Sequence, residues 1–183
     1  MIGKAVQQAT RLIQVRGFHA SRAHYIAVGE LLPNIPLQEG SPSKEISSRD
    51  LFKRNKRALL IGVPGAFTPG CSKTHVPSYL DSHPQLKQKG VDLVACVSVN
   101  DAFVMKAWGE SLGTEGKIRM LADPKGDFVK ALDLAFDATG VLGSIRSKRF
   151  AMLIEDAVVK KIYVEPDNTG ITCTLARTIL EDL

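Results

Sequence analysis

The fold of this chain is decided by one stretch, Arg57-Ala-Leu-Leu-Ile-Gly-Val-Pro-Gly-Ala-Phe-Thr-Pro-Gly-Cys71. The run through Val63 is short, apolar and bounded by charge, so it predicts a buried β-strand. Two prolines and two glycines follow, and they predict a sharp turn. A helix is expected from Cys71 to about Leu80, with a break at Pro77. The cysteine therefore lies where a strand gives way to a helix.

The position of Cys71 predicts a reactive thiol. At the start of a helix, unpaired backbone N–H groups and the helix dipole both favour a thiolate over a thiol. Thr68 lies three residues upstream, so its hydroxyl can turn back toward the sulfur, unless it only caps the turn. Pro64 is expected to shield the sulfur from water. Taken by themselves, these residues leave open that Cys71 is a small buried structural cysteine.

The rest of the chain predicts a mixed α/β sheet covered on both faces, in one domain of residues 26–183. Residues 91–99 are apolar and β-branched, so they predict the central strand. The other predicted elements are helices over residues 101–112 and 126–134, strands over 118–122, Phe150–Glu155 and Val158–Val164, and a closing helix over 174–183, capped by Thr172 or Thr174.

Several segments carry a resemblance to a known family. Pro64-x-x-x-Thr68-x-x-Cys71 resembles the active-site signature of the peroxiredoxins, and the longer run from Gly62 to His75 resembles the peroxiredoxin-5 type in particular. The resemblance covers about residues 26–183, and it implies a thioredoxin-like fold. It also implies a thiol peroxidase that acts on hydrogen peroxide, alkyl hydroperoxides and peroxynitrite. Further matching segments are 94–103, 121–124, 148–150 and 164–173.

The resemblance also gives Cys71 two partners. It implies that Arg149 lies against the thiolate and the peroxide, where a guanidinium favours the thiolate and donates several hydrogen bonds. The residues alone also allow a solvated basic face from Arg146 onward, and only the match at residues 148–150 selects Arg149. Cys173 is implied as the resolving thiol, which forms an intramolecular disulfide with Cys71 that thioredoxin reduces.

Alternatives to this cycle stay open. Cys173 could be a buried cysteine at a helix start, which would leave a one-cysteine peroxidase recycled by an external thiol such as glutathione. Cys71 could instead be the sensor of a redox-sensing or chaperone-like binding protein, which oxidises once and stops. Residues 133–147 look shorter than the family pattern, and this bears on how the two cysteines approach each other. By the same analogy, a homodimer is expected.

The remaining candidate residues indicate neither a metal nor a cofactor. Cys96 lies in an apolar strand and is expected to be inert core. His75 follows Cys71 by four residues and could share its helical face, but four ligands at zinc-like spacing are missing, so its role is open. No phosphate loop or dinucleotide fingerprint is present, and peroxide reduction by a thiol needs no haem or flavin.

Residues 1–25 predict a mitochondrial presequence that is removed after import. They are basic and free of acidic residues, and residues 2–14 place apolar side chains on one helical face. Cleavage is expected after Gly17 with further trimming to Tyr25, or in a single cut after Phe18. The alternative is an N-terminal helix that stays attached.

The charge of the chain is concentrated in this N-terminal segment. There are 24 basic and 19 acidic residues, net +5, and the four basic residues before Glu30 account for all but one of the excess. The remainder is nearly neutral, so no nucleic acid partner is expected. No apolar run approaches the roughly 18 residues of a membrane span. We expect the mitochondrial matrix rather than the cytoplasm or the peroxisome, since residues 181–183 lack a peroxisomal address.

Overall fold

The computed structural model describes residues 25–183, so the predicted presequence lies outside the described residues except for Tyr25. One mixed sheet of seven strands carries helices on both faces. Within residues 25–183, no helix has the length and apolarity that crossing a membrane requires. In chain order the elements are β1 (Pro36–Glu39), β2 (Ser41–Ser47), α1 (Ser48–Lys53), β3 (Arg57–Gly62), a π-helical turn (Cys71–His75), α2 (Val76–Asp81), α3 (His83–Gln88), β4 (Leu93–Ser98), α4 (Ala102–Leu112), β5 (Arg119–Ala122), α5 (Asp127–Ala131), β6 (Ala135–Asp137), α6 (Thr139–Leu142), β7 (Ile145–Ser147), β8 (Phe150–Glu155), β9 (Val158–Val164) and α7 (Ala176–Glu181).

The order of strands across the main sheet is β2-β1-β5-β4-β3-β8-β9. Strands β3, β4 and β5 are parallel, and β8 runs antiparallel to β3. All residues of β4 are buried, as expected of a strand that is covered on both faces. The hairpin of β8 and β9 has the predicted bounds and turns through Asp156 and Ala157, both at positive φ. The predicted mixed sheet is therefore confirmed.

Two hydrophobic cores lie on the two faces of the sheet, because side chains of each strand alternate between them. On one face, α1 and α5 contribute the fully buried rings of Phe52 and Phe128. On the other face, α2 and α4 contribute Tyr79 and Trp108, which are also fully buried. Cys71 belongs to this second core, so the packing of sheet and helices fixes the position of its sulfur.

Two helix boundaries differ from the prediction for local reasons. The closing helix α7 begins at Ala176, because the hydroxyls of both predicted cap residues bind the Glu165 carboxylate instead. The helix predicted over residues 126–134 ends at Ala131, because Asp133 adopts a φ of +54° and turns the chain. In both places the tertiary contact or turn outweighs the local helix signal.

The helix after Cys71 is irregular before Pro77 rather than at it. In the π-helical turn, Val76 N–H donates to the carbonyl of Cys71. Pro77 lies in the first turn of α2, where a missing N–H is tolerated. The widened turn carries both Cys71 and His75, and single π-helical turns are frequent at functional sites.

Candidate active site

The loop of residues 63–70 leads from β3 to the π-helical turn and forms one wall of the candidate site. Pro64 and Gly65 are buried in this loop. Phe67 adopts a φ of +60°, which is uncommon for a large side chain, and its ring is 55% exposed. The predicted sharp turn is present, and it leaves an aromatic ring at the surface beside the site.

Hydrogen bonds to Thr68 and Ala66 fix the middle of this loop. The Thr68 hydroxyl turns back to donate to the Gly65 carbonyl at 2.9 Å, and Ala66 N–H donates to Asn100 Oδ1 at 3.0 Å. Ser72 N–H donates to the Thr68 carbonyl at 2.9 Å. Thr68 therefore lies just before the first helical turn, whose leading N–H groups have no partner within the helix.

The structure brings Cys71 and Arg149 together from distant parts of the chain. Arg149 Nη1 donates to Cys71 Sγ at 3.3 Å, and both residues are buried. Arg149 Nε donates to the Thr169 carbonyl at 3.0 Å, which orients the guanidinium. A Cβ atom at Gly70 would lie 3.1 Å from Arg149 Nη2, so a glycine there leaves room for the guanidinium. A buried positive charge at this distance stabilises a negatively charged sulfur.

Arg146, the other arginine of the basic run, contacts backbone carbonyls instead. Its Nη1 donates to the Val99 carbonyl at 3.1 Å, and its Nη2 donates to the Leu142 carbonyl at 2.9 Å. A Cβ atom at Gly65 would lie 3.4 Å from Nη1, so the side chain packs against the loop. Arg146 is half-buried and Arg149 buried, so this run is not the solvated basic face that the residues alone allowed.

Ser72 and Trp108 support the helical turn that carries the cysteine. Trp108 Nε1 donates to Ser72 Oγ at 3.0 Å, and the indole is fully buried. The ring of Phe67 lies 6.5 Å from the indole, measured between centroids. The sequence did not indicate the roles of Ser72 and Trp108, because a tryptophan in an amphipathic helix gives no signal beyond core packing.

His75 is buried next to the site and is neutral. Its Nε2–H donates to the Thr174 carbonyl at 3.0 Å, since a carbonyl oxygen can only accept. Burial, together with the positive charge of Arg149, lowers the pKa of His75 to about 3. Nδ1 has no hydrogen-bond partner in the described part of the chain. His75 thus connects the helix of Cys71 to the segment of Cys173.

Neither Cys96 nor a metal takes part in this arrangement. Cys96 is fully buried in β4, and burial, with the nearby Cys71, raises the pKa of its thiol. Its predicted place in the core is confirmed. Across residues 25–183, no group of three His, Cys, Asp or Glu side chains could hold a metal ion.

Cys173 lies on the irregular segment between β9 and α7. It is half-buried, and its Sγ lies 3.6 Å from the Val164 carbonyl oxygen. Burial and the charge of Glu165 raise the pKa of the Cys173 thiol. Cys71 and Cys173 are both free thiols in this structure, so the implied disulfide is not formed here.

Glu165 organises the segment of Cys173. It is 1% exposed, and its carboxylate accepts the N–H groups of three consecutive residues, Thr172, Cys173 and Thr174, at 2.8, 3.0 and 3.1 Å. The hydroxyls of both threonines donate to it as well. Burial raises the pKa of Glu165, but these hydrogen bonds lower it by more, to about 2. Sequence reasoning missed this residue, because nothing local marks an acidic side chain whose partners lie seven to nine positions ahead.

Comparisons with known proteins agree with this geometry. A family model described as Redoxin matches residues 27–180. "Peroxisomal membrane associated protein 20" of Schizosaccharomyces pombe is 39% identical over 160 residues, which are 86% of this chain and 99% of the relative. Reduced Prx3 from Vibrio vulnificus in complex with hydrogen peroxide is 46% identical, with a TM-score of 0.80 over 86% of this chain and 98% of that one. Peroxiredoxin 5 from Alvinella pompejana is 41% identical, with a TM-score of 0.75 over 85% and 96% of the two chains.

Fold and site together define a thiol peroxidase built on a thioredoxin-like sheet, as the sequence predicted. A buried thiol beside a guanidinium has the chemistry that such an enzyme needs, because it can supply a nucleophile and a stabilising charge. The chain belongs to the Redoxin family and is a peroxiredoxin of the peroxiredoxin-5 type.

Proposed function

We propose that Cys71 is the peroxidatic thiol of this enzyme and that its substrates are hydrogen peroxide, alkyl hydroperoxides and peroxynitrite. The observation that carries this proposal is the Arg149 guanidinium, 3.3 Å from the buried Cys71 sulfur. The thiolate attacks one peroxide oxygen, so an S–O bond forms while the O–O bond breaks. The sulfur is oxidised to a sulfenic acid, and the other oxygen leaves with the bond's electron pair.

The residues around Cys71 support this step. Arg149 and the first-turn N–H groups can donate to the peroxide and to the departing oxygen, whose developing charge they stabilise. The Thr68 hydroxyl donates to a carbonyl, so its oxygen lone pairs are available to accept a hydrogen bond from an incoming hydroperoxide. Pro64 is buried in the loop, where it helps to exclude water.

Cys173 is the proposed resolving thiol, and thioredoxin the proposed reductant. The Cys173 sulfur attacks the sulfenic sulfur of Cys71, so an S–S bond forms, the S–O bond breaks and water leaves. A dithiol then reduces the disulfide. Two contacts of the Cys173 segment with the site support this cycle: the Thr169 carbonyl accepts from Arg149, and Ile171 Cδ1 lies 3.3 Å from the Cβ position of Gly70.

Thioredoxin-coupled NADPH consumption after addition of hydrogen peroxide tests both cysteine roles. Cys71→Ser is expected to abolish turnover. Cys173→Ser is expected to stop thioredoxin-coupled turnover while Cys71 still reacts once. Cys96→Ala is the matched control, because this third cysteine is buried in β4 and has no part in the proposed cycle, and it should keep turnover.

Two other outcomes would replace this cycle. Unchanged thioredoxin-coupled turnover in Cys173→Ser would indicate a one-cysteine peroxidase, and recycling by glutathione would identify its reductant. A single oxidation of Cys71 without turnover, with either reductant, would indicate a redox sensor or chaperone-like protein.

Residues 1–25 are proposed to direct the protein to the mitochondrial matrix. The proposal rests on their basic, acid-free composition. The fission-yeast relative has a peroxisomal name, so the mitochondrial location proposed for this chain needs a direct test. Residues 1–25 fused to a fluorescent protein should reach mitochondria, and a fusion with Arg11 and Arg16 changed to Glu should not. Diffuse fluorescence of the unaltered fusion would contradict the proposal.

A homodimer is proposed on the same family likeness. The rings of Phe67, beside the site, and Phe103, on α4, are 55% and 63% exposed. Exposed aromatic rings of this kind are suited to cover by a second copy. Sedimentation of the wild-type protein at micromolar concentration should give a dimer, and a monomer there would contradict the proposal.

A further inference from the structure

The buried carboxylate of Glu165 accepts several hydrogen bonds from the segment that carries Cys173. It accepts five of them, three from backbone N–H groups and two from hydroxyls of Thr172 and Thr174. Hydrogen bonds to an ionised acceptor are about twice as strong as neutral ones. None of the five contacts Cys71 or Arg149, so the proposed peroxide step does not account for them.

The same segment is fastened from its other side to the helix that begins at Cys71. The Thr174 carbonyl accepts from His75 Nε2–H at 3.0 Å and from the Tyr79 hydroxyl at 2.6 Å. His75 and Tyr79 are both buried. Cys173 is therefore held between a carboxylate at the end of β9 and two side chains of the neighbouring helix.

A disulfide between the two cysteines requires one of them to move. The sulfur atoms must come within about 2.05 Å of each other, and both are free in this structure. Cys71 lies in the helical core, fully buried. Cys173 lies outside any helix or strand, on a segment whose N–H groups bind one side chain. The segment of Cys173 is therefore the part that moves.

We infer that Glu165 is a positioning residue that sets how fast Cys173 reaches the sulfenic acid of Cys71. This inference rests on the proposed two-cysteine cycle. While Glu165 holds the segment, Cys173 is kept back and the sulfenic acid persists. A second peroxide can then transfer an oxygen to the sulfenic sulfur, which gives a sulfinic acid and water or an alcohol. Once the segment is released, the S–S bond forms with loss of water, and this over-oxidation is prevented.

Glu165→Gln tests the inference with little change of shape. The amide is uncharged and keeps only one oxygen acceptor, so we expect disulfide formation to become about tenfold faster. Stopped-flow fluorescence of Trp108, whose indole lies beside the helical turn of Cys71, separates peroxide attack from disulfide formation. Mass spectrometry at high peroxide should show a smaller sulfinic fraction in the variant.

A second readout does not depend on peroxide at all. In the reduced protein, alkylation of Cys173 should be about tenfold faster in Glu165→Gln when the two rates are compared at their alkaline plateaus, where the effect of the Glu165 charge on the Cys173 pKa no longer contributes. Alkylation of fully buried Cys96 reports global opening and should not change. A variant that was merely less stable would expose both thiols together.

Asp123→Asn is the matched control variant. Asp123 is also a buried carboxylate that accepts a backbone N–H, from Val129 at 3.0 Å, but it lies between β5 and α5. Its neutralisation should lower the melting temperature without changing disulfide formation or the alkylation of Cys173. An equal acceleration in Asp123→Asn would overturn the role of Glu165.

The remaining outcomes distinguish this inference from the proposed cycle. Disulfide formation at equal rates in wild type and Glu165→Gln would overturn the role of Glu165 and leave the cycle standing. Absence of any disulfide between Cys71 and Cys173 in both proteins would overturn the cycle, and with it the role of Glu165 in resolution.

Discussion

Arg149 and Arg146 are three positions apart, but only Arg149 donates a hydrogen bond to the Cys71 sulfur. Arg149 donates to Cys71 Sγ from a buried position, while Arg146 donates to two backbone carbonyls. Arg146 lies in β7, which pairs with β6, whereas Arg149 lies outside any strand, just before β8. A positive charge alone therefore does not decide which arginine acts on Cys71, and the effect of each arginine on the oxidation rate of Cys71 can be measured.

Arg149→Ala is predicted to slow the oxidation of Cys71 by hydrogen peroxide at least about 100-fold, because it removes both the charge and a donor to the departing oxygen. Arg146→Ala is predicted to slow it less than about tenfold and to lower the melting temperature, since it removes the two hydrogen bonds to the Val99 and Leu142 carbonyls. Stopped-flow fluorescence gives the rates. Equal losses in the two variants would contradict the assignment of Arg149.

His75 is predicted to make folding stability depend on pH. Its pKa is about 3 in the folded protein, against an ordinary 6.5. Below pH 6.5 the unfolded chain therefore binds a proton that the folded protein excludes, so stability is full above that pH and falls as the pH decreases toward 3. Between pH 7 and pH 5 the expected loss is about 2 kcal/mol. Urea unfolding at several pH values measures it.

His75→Gln serves as the control for this pH dependence. Glutamine offers an N–H donor for the Thr174 carbonyl but does not titrate. Most of the slope between pH 5 and 6.5 should therefore be lost in the variant, and the remainder is the contribution of His83, whose pKa is also lowered, by burial and by Lys87. Glu165 does not interfere, because its pKa is lowered to about 2 and its stabilisation is lost only below its ordinary value of 4.5. The same slope in His75→Gln would show that another group causes it.

At the level of single elements, the strands were predictable and several helix ends were not. Strands β3, β4, β8 and β9 follow from apolar runs with turn signals at their ends, and this information is local. The start of α7 was predicted wrong, because Thr172 and Thr174 bind a carboxylate that joins them only after the segment has folded back. The β6–β7 pair and the π-helical turn depend on such contacts too, and no local pattern indicates them.

The difference between local patterns and contacts made only in the folded chain also explains which residues of the candidate site could be predicted. Cys71 and Thr68 stand in one continuous loop, so spacing and turn chemistry indicated them. Arg149 was selected over Arg146 only through a resemblance, because which guanidinium reaches the sulfur depends on how β8 pairs with β3. The sequence did not indicate Glu165, because its role depends on three backbone N–H groups that lie around its carboxylate only in the folded chain.

The pairing of β3 with β8 gives a prediction for a single glycine. A Cβ atom at Gly62 would lie 2.0 Å from Phe150 Cε1, and Phe150 is fully buried, so its ring cannot move into solvent. Gly62→Ala is therefore expected to destabilise the protein by about 3 kcal/mol through overpacking. Urea unfolding measures this value. Gly140→Ala is the control, since nothing lies within 4 Å of its Cβ position and its change should stay within about 0.5 kcal/mol.

For the whole molecule, the two-sided sheet explains why a reactive thiol can be buried and still be served by distant residues. The parallel strands bring the loop after β3 next to the turn after β4, where Asn100 holds the Ala66 N–H. The antiparallel strand β8 begins directly after Arg149, on the other side of β3. The site therefore draws on three segments that are adjacent only in the folded sheet, and its geometry depends on the completeness of both cores.

The N-terminal border of those cores leads to the last prediction. Ile26 is buried and its N–H donates to the Leu132 carbonyl, and fully buried Leu32 donates in the same way to Ala157. Among residues 25–183, a chain that starts at Ile26 loses Tyr25 and its contact with Lys148, so its free energy of unfolding should change by less than about 1 kcal/mol.

A chain that starts at Pro33 loses the burial of Ile26 and Leu32 and should be destabilised by about 4 kcal/mol, since each such side chain contributes about 1.5–3 kcal/mol. Urea unfolding and peroxidase rates of both truncated chains check these values. If the chain that starts at Ile26 were as unstable as the one that starts at Pro33, the domain would need residues before its predicted border. Removal of a presequence at residue 25 would then not be compatible with a stable enzyme. If it keeps its stability and its peroxidase rate, the core that positions Cys71 is complete from Ile26 onward, as the proposed removal of residues 1–25 requires.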